Sequence, residues 1–547
     1  MTAPLISVVV PFYNTEDLLE DCLRSIARQT HANLEVIMVD DGSTDGSAEI
    51  ARRRAESDPR FVLIRIPNGG PGFSRNRGIE QTTGEFLAFV DADDMLPSHA
   101  LEVMLHTLQE SGSDFVSGGV ERVGPMGVTP SGMHAQAIKG RRIGTHISRS
   151  PELFWDVSVW NKLFRKSFWD ASKLSFPEVR AWEDLQAITR AHVLAKAVDV
   201  IPDTIYYWRE RGKGALSITQ SRTDISNLRD RVTALTNIDS FLRERASAKL
   251  LRQHQRKALV NDLWLYVCDL SRTSAEYQSE FIELGHKYLS QVDRRVLAKL
   301  PSTHKLAYHL IRAGRLEQLL EFNAWQAEQP IKTTPMVRHH GRIRADLPFW
   351  AERRSLKIPD WVYRPYWREL DPFVKIENLE WDESRLVITG CTFVPSVDIL
   401  KRRNASKIIF LRPVTKGRLP VILPARSVRH AEADMWSGQH RYHYDWAGFR
   451  AEISPRWFRL GGRWLTGEWA GYVLVRGHGV WRPARLHTPA RGPAERPEFQ
   501  QVAPGIRYGA WWAGRRLQIG VTRTPAVLHG CEHAGKPRDY LAHHPGR

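Results

Sequence analysis

The chain has 547 residues, of which 42% are hydrophobic, and its formal net charge is +17. This length exceeds one compact domain, so we expect three or four domains with sizeable cores. The 4 cysteines are scattered, without a CxxC pair or a His at ligand spacing, which argues against both a disulfide framework and a zinc site. No apolar run has the length of a membrane span, and the first residues lack the basic region of a signal peptide, so we expect a cytoplasmic protein.

Strand-like and helix-like segments alternate through the first 120 residues. The β-branched run LISVVVPFYN (5–14) precedes a helical pattern that begins at Thr15, and the same order recurs from Leu34, Phe61 and Glu85. Apolar strands separated by helices indicate a parallel, doubly wound α/β sheet. In such sheets ligands bind beyond the carboxyl ends of the strands, where the segments PFYN, DDGS, NGGPG and DADD all fall.

The pattern changes twice after residues 1–225. Residues 226–330 have helical periodicity with almost no Gly or Pro, which predicts a helical linker domain. After a connecting segment over 331–369, an alternation with period two predicts an all-β, immunoglobulin-like sandwich over 370–488. Residues 489–547 begin with a linker-like stretch and contain a short β pattern, so they are either a ragged end or a truncated second sandwich.

Three carboxylates, Asp91, Asp93 and Asp94, directly follow the apolar run FLAFV (86–90). Mg²⁺ and Mn²⁺ prefer oxygen ligands and usually bridge one or two carboxylates to a diphosphate, so an Asp-x-Asp turn at a strand end suits a metal site. The alternative is structural, because an Asp at a strand end also caps a following helix. The motif alone leaves both interpretations open.

Five segments resemble, in their order and spacing, the inverting GT-A glycosyltransferases of family 2, which use nucleotide sugars. They are VPFYN (10–14), VDDGSTD (39–45), GGPGFSRNRG (69–78), VDADD (90–94) and FPEVRAWEDLQAITR (176–190). The segment YYWRERGKGALSIT (206–219) is similar to the mobile segment that closes over the diphosphate in that family. Within the family, the chain looks most similar to the wall teichoic acid β-N-acetylglucosaminyltransferases, whose helical linker is followed by immunoglobulin-like domains that mediate oligomerisation.

This resemblance implies a GT-A nucleotide-sugar-binding domain with a mixed, mainly parallel sheet over 1–225. It also implies a set of residues that contact a UDP-sugar and its metal. They are Pro11 and Tyr13 at the uracil ring, Asp41 at the base, Asn68 and Arg75 at the nucleotide, Asp91 at the ribose or sugar, Asp93 at Mn²⁺ or Mg²⁺, and Arg211 and Ser217 at the diphosphate. One departure is Ala215, which stands where the relatives carry a His.

The resemblance assigns the chemistry to two further acids, Asp184 as the general base and Glu183 as the residue that orients hydroxyl groups. The implied reaction is an inverting transfer of a sugar, N-acetylglucosamine by resemblance, from a UDP-sugar to a hydroxyl of a cell-wall polymer such as teichoic acid. The alternatives are a degenerate transferase that serves as a carbohydrate- or polyanion-binding scaffold, and a transferase for another surface polysaccharide.

Several of these residues also have structural explanations. Asp41 suits an Asx turn, and Arg75 suits an ion pair with Asp93 or another acidic neighbour. Glu183 and Asp184 suit the first turn of a helix, where the helix dipole favours acids.

The positive charge is concentrated after residue 225. Residues 1–225 carry about 25 basic and 30 acidic side chains, whereas the remainder carries about 53 and 31. A basic region of this size indicates an anionic partner, either the polymer acceptor or the inner face of the membrane, where the chain would bind peripherally. Without a recognisable nucleic-acid-binding module, we expect no nucleic acid partner, and a merely well-solvated arginine-rich surface is the alternative. A homo-oligomer is expected by resemblance alone.

Overall fold

The structure is a computed structural model. It describes residues 3–124, 127–210, 221–329, 334–340, 342–415, 417–437, 442–477, 480–487, 498–513 and 516–523. The chain divides into two compact units, the first made of residues 1–330 and 348–363 and the second of 331–347 and 364–547. Within the described ranges, no helix combines the length and the apolar character that crossing a membrane requires.

The first unit begins with a nine-stranded sheet and the helices that pack on it. The strands are β1 (Ile6–Phe12), β2 (Leu34–Asp40), β3 (Phe61–Arg65), β4 (Phe86–Phe89), β5 (Phe115–Gly124), β6 (Gly127–Pro130), β7 (Arg142–Thr145), β8 (Lys162–Arg165) and β9 (Val198–Arg209). The helices are α1 (Glu16–Ala27), α2 (Ser47–Ser57), α3 (Pro71–Ile79), α4 (Ala100–Ser111), α5 (Lys166–Ala171) and α6 (Glu183–Leu194).

The order of the strands brings four carboxyl ends to one edge. The order is β3-β2-β1-β4-β8-β5-β9-β7, with β6 paired to β5. Strands β1 to β5 and β9 run in one direction, and β6, β7 and β8 run against them. The predicted mixed, mainly parallel sheet is therefore confirmed, and the loops after β1, β2, β3 and β4 lie along the same edge.

Burial explains why this sheet forms. Every residue of β1 is buried, and because successive side chains point to opposite faces, both faces of the sheet are covered. On α1, the residues Leu19, Cys22, Leu23 and Ile26 recur at helical spacing and are all buried. Each fully buried Leu or Ile stabilises the fold by roughly 1.5–3 kcal/mol.

The predicted helical region is also confirmed, and it belongs to the same compact unit as the sheet. Its helices are α7 (Ile225–Arg245), α8 (Ala248–Lys257), α9 (Trp264–Asp269), α10 (Ala275–Ser290), α11 (Arg294–Leu297), α12 (Ser302–Arg312) and α13 (Leu316–Glu328). A π-helical turn, Ala258–Asp262, joins α8 to α9. Side-chain caps fix the starts of the longer helices, with Asp224 accepting the Ser226 amide before α7 and Ser274 accepting the Tyr277 amide before α10.

Among the described residues of the second unit, most of the regular secondary structure is β-strand. They are β10 (Met336–His339), β11 (Arg342–Ala345), β12 (Phe373–Asp382), β13 (Arg385–Phe393), β14 (Lys407–Pro413), β15 (Val421–Val428), β16 (Gly448–Ile453), β17 (Arg459–Leu460), β18 (Arg463–Trp464), β19 (Gly467–Gly477), β20 (Val480–Arg485), β21 (Glu498–Ala503), β22 (Ile506–Ala513) and β23 (Arg516–Arg523). A short helix, α14 (Ala433–Ser437), precedes β16.

The all-β prediction for this region is confirmed, but its strands follow one continuous path. The order β12-β13-β16-β15-β14-β19-β23-β22-β21 forms a ten-stranded antiparallel sheet, with β20 paired to β19. The path is continuous because β15 pairs with β14 along its first residues and with β16 along its last. The sheet folds back on itself, since the Trp381 ring of β12 contacts the Tyr508 ring of β22 at 5.5 Å and the Tyr508 hydroxyl donates to the Ile453 carbonyl at 2.9 Å.

Candidate active site

Hydrogen bonds connect the loops that follow β1 and β2. The Asn14 side-chain oxygen accepts the Thr44 amide at 2.8 Å, and the Asn14 amide donates to the Ser43 hydroxyl at 3.1 Å. Asn14 itself has a φ of 47°, in the left-handed region that Asn tolerates better than most residues. Two of the predicted donor-binding segments therefore form one connected surface.

The Asp41 carboxylate holds the glycine turn that leads into α3. Its oxygens accept the backbone amides of Gly69 at 2.8 Å and Gly70 at 2.9 Å, and the Asn68 side chain donates to the Asp41 carbonyl at 3.0 Å. Gly70 has a φ of 87°, a conformation for which Gly is favoured. Whether Asp41 also contacts a base stays a prediction.

The two residues predicted at the uracil ring differ in burial. Pro11 is buried inside β1, whereas Tyr13 is 47% exposed just beyond the strand end. Asn68 is exposed as well. Tyr13 is thus available for an aromatic contact with a ligand, and Pro11 can contribute only to the floor of a pocket.

The three carboxylates after β4 have different surroundings. A turn closes when the Asp94 amide donates to the Asp91 carbonyl at 3.0 Å. Asp94 is buried and accepts the Tyr206 hydroxyl at 2.8 Å and the Arg209 amide at 2.7 Å. Burial, together with the nearby Asp93 and Asp91, raises the pKa of Asp94 well above its usual range. Asp94 therefore fixes the turn, while Asp91 and Asp93 are only partly buried.

Arg75 joins this turn to the acidic pair at the start of α6. One guanidinium nitrogen donates to Asp91 at 2.7 Å and another donates to Glu183. Burial lowers the pKa of Arg75, but the attraction of Asp91, Glu183 and Asp184 outweighs burial and raises that pKa above its usual value. The ion-pair alternative for Arg75 is thus observed, with Asp91 and Glu183 as the partners.

Gly72 allows α3 to approach Glu183 closely. A Cβ atom at Gly72 would lie 2.5 Å from the Pro177 carbonyl oxygen and 3.2 Å from the Glu183 Cβ atom. Any larger residue would push the two segments apart and lengthen the ion pair between Arg75 and Glu183. Glycine at this position therefore lets α3 pack directly against the loop 176–182 and the start of α6.

Glu183 and Asp184 begin α6, as predicted for a helical first turn. Glu183 is buried and Asp184 half-buried, and Asp184 accepts the Leu185 amide at 2.7 Å. Burial raises the pKa of both carboxyl groups above their usual ranges, although Arg75 opposes the shift in each. A carboxylate with a raised pKa is a stronger base than an exposed aspartate, which is the property a general base needs.

The residue before this pair, Trp182, adopts the left-handed conformation, with φ 67° and ψ 23°. This conformation costs a non-glycine residue about 1–2 kcal/mol, so surrounding contacts must hold it. They come from α7, where Arg231 lies 3.6 Å from the Trp182 ring centroid and Asn227 accepts the indole N–H at 3.1 Å. Sequence reasoning missed both contacts, because nothing in the sequence links α7 to this loop.

A buried ion pair that the sequence did not predict begins β8. Lys162 donates to Asp156 at 3.0 Å, and Asn161 also donates to Asp156 at 3.0 Å. Next to them, Trp160 stacks on Tyr206 at 4.2 Å, and Tyr206 is the residue that holds Asp94. In the sequence, the unusual tripeptide Trp-Asn-Lys (160–162) was the available signal for this cluster. Through Tyr206, Trp160 supports the turn that contains Asp94.

Arg211, Ser217 and Ala215 lie outside the described residues. The described ranges contain no group of three or more His, Cys, Asp and Glu side chains arranged to hold a metal ion. Mg²⁺ and Mn²⁺ are nevertheless often bound through one or two carboxylates together with substrate phosphates. Asp93, partly buried at the strand-end turn, fits that kind of site.

Residues 7–169 match the protein family described as Glycosyl transferase family 2. The glycosyltransferase GlyG of Streptococcus pneumoniae serotype 4 is 32% identical over 238 residues, which cover 41% of this chain and 76% of that protein. The chain belongs to glycosyltransferase family 2. The resemblance inferred from its motifs is confirmed.

This family 2 glycosyltransferase has longer but weaker similarities. The poly(ribitol-phosphate) β-glucosyltransferase of Bacillus spizizenii is 28% identical over 425 residues, covering 75% of this chain and 64% of that protein. The poly(ribitol-phosphate) β-N-acetylglucosaminyltransferase TarS of Staphylococcus aureus is 27% identical over 321 residues, covering 57% and 54%.

The crystal structure of S. aureus TarS superposes with a TM-score of 0.57 at 17% identity and covers 95% of this chain and 86% of TarS. That likeness shows a shared fold. The chain spans about six tenths of the length of the first curated relatives it matches.

Proposed function

We propose that this chain transfers a sugar from a UDP-sugar to a hydroxyl group of an anionic cell-wall polymer, with inversion at the sugar carbon. The observation that carries the proposal is the buried bridge from Asp91 through Arg75 to Glu183, beside Asp184. It joins the strand-end acids expected at the donor to the helix-start acids expected at the acceptor. The presence of both Asp93 and Asp184 also counts against a degenerate transferase.

Asp184 is the proposed general base. It would take the proton from the acceptor hydroxyl as the oxygen attacks the sugar carbon from the face opposite the nucleotide, so no covalent enzyme intermediate is needed. Burial gives its carboxylate the added basicity that this step requires. Glu183 would remain paired with Arg75 and fix the direction in which its neighbour points.

The donor would lie along the four strand ends. Tyr13 would stack on the uracil ring above Pro11, and Asp41 and Asn68 would shape the adjoining turn through the contacts already described. Arg75 and Asp91 would bound the ribose and sugar. Arg211 and Ser217 stay predictions for the diphosphate.

A divalent cation, Mn²⁺ or Mg²⁺, would be held by Asp93 together with donor phosphates. When bound, such an ion neutralises charge that builds on a diphosphate leaving group. The oxygen donors of the turn suit a hard cation. The turn itself is kept in shape by Asp94, whose carboxylate is already occupied by Tyr206 and Arg209.

The sugar and the acceptor are the finer parts of the proposal. N-acetylglucosamine is our first choice, although one similar relative is named for glucosyl transfer and another for N-acetylglucosaminyl transfer. Both are named for poly(ribitol phosphate), and the basic residues after position 225 suit a polymer of phosphates. The reaction would occur in the cytoplasm or at the inner membrane face.

The test is UDP release from a panel of UDP-sugars, with Mn²⁺, Mg²⁺ or EDTA, with and without poly(ribitol phosphate) or poly(glycerol phosphate). We expect Asp184→Asn to lower kcat by about 10²–10⁴-fold and Asp93→Asn to raise the Mn²⁺ concentration that is needed. The exposed aspartate of α1 provides the control, and Asp17→Asn should behave as the wild type.

Turnover with one donor and one acceptor would support the proposal and identify the sugar. Among the folded single variants, only Asp184→Asn should lose this turnover. Neither UDP release nor UDP binding by calorimetry with any donor would contradict it. The scaffold alternative would then be preferred.

A further inference from the structure

The loop that carries the proposed base is held by side chains of a helix in a different part of the fold. The Ala181 amide donates to Asp230 at 3.1 Å, the Trp182 indole donates to Asn227 at 3.1 Å, and Arg231 covers the Trp182 ring. All three partners lie on α7, within two turns of its start. Together they fix the Ala181 amide and the indole ring of Trp182, the residue that precedes Glu183.

Further side chains of the helical region hold the α7 residues in place. The Tyr266 hydroxyl donates to the same Asn227 oxygen that Trp182 uses. Arg231 lies 3.7 Å from Asp262, which closes the π-helical turn and accepts from Lys257 at 2.8 Å. Asn227, Arg231 and Asp262 are all buried, so these contacts have little freedom to rearrange. Buried polar groups that are paired in this way fix geometry more than they add stability.

We infer that Arg231 and Asn227 are positioning residues for the transfer reaction, which hold Trp182 in its left-handed conformation and thereby direct Asp184 towards the acceptor. This inference rests on the proposed function of Asp184. It assigns to the helical region a part in catalysis, where the sequence had predicted only a linker.

The same arrangement places Arg231 among the charged groups that act on Asp184. The other charged groups close to Asp184 are Arg75 of α3, Asp91 of the turn after β4, and the adjacent residue Glu183 on α6. Lys162 of β8 and Lys257 of α8 act from further away. Burial and Asp91 raise the pKa of Asp184, while Arg75 and Arg231 oppose them. Without the Arg231 charge, that pKa would rise further, and activity would begin to fall at a higher pH as the solution is acidified.

Three variants separate positioning from folding. Arg231→Met keeps most of the aliphatic stem over Trp182 and leaves Asp262 with its closer partner, Lys257, so no carboxylate loses every cation. Arg231→Lys restores the charge without the planar group. Asn227→Ala removes the indole acceptor without changing any charge. The matched control is Arg229→Gln, because Arg229 lies two positions earlier on α7 with a side chain that is 54% exposed.

We expect Arg231→Met to lower kcat by about 10–100-fold with the donor KM nearly unchanged, because misplacing a reacting group affects the transition state more than binding. The acid limb of its kcat profile should move to higher pH. In Arg231→Lys, the acid limb of the kcat profile should return to the wild-type pH, while kcat itself recovers only in part. Asn227→Ala should lower kcat without moving the acid limb. An unchanged kcat in folded Arg231→Met and Asn227→Ala, or a loss confined to KM, would overturn the inference.

Hydrogen–deuterium exchange of peptides over 176–190 gives a second measurement that needs no substrate. Faster exchange in Arg231→Met and Asn227→Ala, but not in Arg229→Gln, is the expected result, and equal exchange in all of them would overturn the inference. If the wild type fails with every donor, the proposed function fails, and exchange alone still decides whether α7 holds this loop.

Discussion

Buried cations have different hydrogen-bonding partners in the two units. In the first unit, Arg75, Lys162 and Lys257 are each paired with a buried or partly buried carboxylate. In the second, Lys407 at the start of β14 is buried and donates to the carbonyls of Ala405 and Trp446 and to the Ser427 hydroxyl. In the part of the chain that the structure describes, no carboxylate lies within ion-pair distance of Lys407.

A buried cation that is paired with a carboxylate has different properties from one that faces only neutral groups. A buried cation beside a carboxylate stays charged and directional, which is useful where a substrate must be oriented. A buried lysine that faces only carbonyl and hydroxyl groups has a depressed pKa, and burial lowers that of Lys407 to about 7. The charged network thus suits the chemistry proposed for this site, whereas Lys407 indicates only that the β unit is tightly packed.

The largest effect should come from Arg75→Met. It leaves Glu183 and Asp91 without their shared cation, and breaking a buried pair in this way typically costs about 3–5 kcal/mol of unfolding free energy. Urea denaturation at pH 7.5 measures this loss. The double variant Arg75→Met/Glu183→Gln should recover part of it, and a single variant as stable as the wild type would contradict the claim that the bridge is buried and paired.

A smaller, pH-dependent effect is expected at Lys407. Its folded pKa of about 7 lies below the value near 10.4 of an unfolded lysine, so the unfolded state binds more protons between these pH values. The unfolding free energy of the β unit should therefore increase from pH 7 towards pH 10, by at most about 1.4 kcal/mol per pH unit, and the full cost of burial should be present below pH 7. Calorimetry from pH 6.5 to 9.5 tests this. Lys407→Met should lose the slope, and an identical slope in both chains would exclude Lys407 as its source.

The smallest effect is expected at Arg77, two positions after Arg75 on the same helix. Arg77 pairs with Glu80 at 3.0 Å, and both side chains are about half exposed. Exposed pairs of this kind contribute roughly 0–1 kcal/mol, so Arg77→Gln should unfold nearly as the wild type does. A loss as large as that of Arg75→Met would mean that burial does not explain the difference between the two arginines.

The sequence was informative where local patterns decide the structure. Apolar strands followed by polar turns predicted the sheet and the edge where its acids meet, and the first-turn acids predicted the start of α6. These features depend on neighbouring residues, so periodicity and composition carry them. The motif resemblance then supplied the family, which the comparisons confirmed.

What the sequence did not reveal depends on contacts between distant segments. Arg75 and Glu183 are 108 positions apart, and no pattern in either segment names the other as its partner. The left-handed Trp182 is invisible for a related reason, because such a conformation usually indicates Gly or Asn, and here tertiary contacts from α7 impose it on a bulky residue. The continuous path of the C-terminal sheet likewise depends on β15 changing partners part-way along its length.

The last three strands, β21, β22 and β23, have a practical consequence for anyone who shortens this chain. β23 pairs with Gly467–Ala470 of β19, and Tyr508 is fully buried against the strands on the opposite side. A protein that ended near residue 488 would leave that part of β19 as an open edge beside uncovered aromatic core. Open edges of this kind recruit strands from other molecules, so such a fragment would be prone to aggregate during expression. Fragments intended for crystallisation should extend at least to Arg523, the last residue of β23.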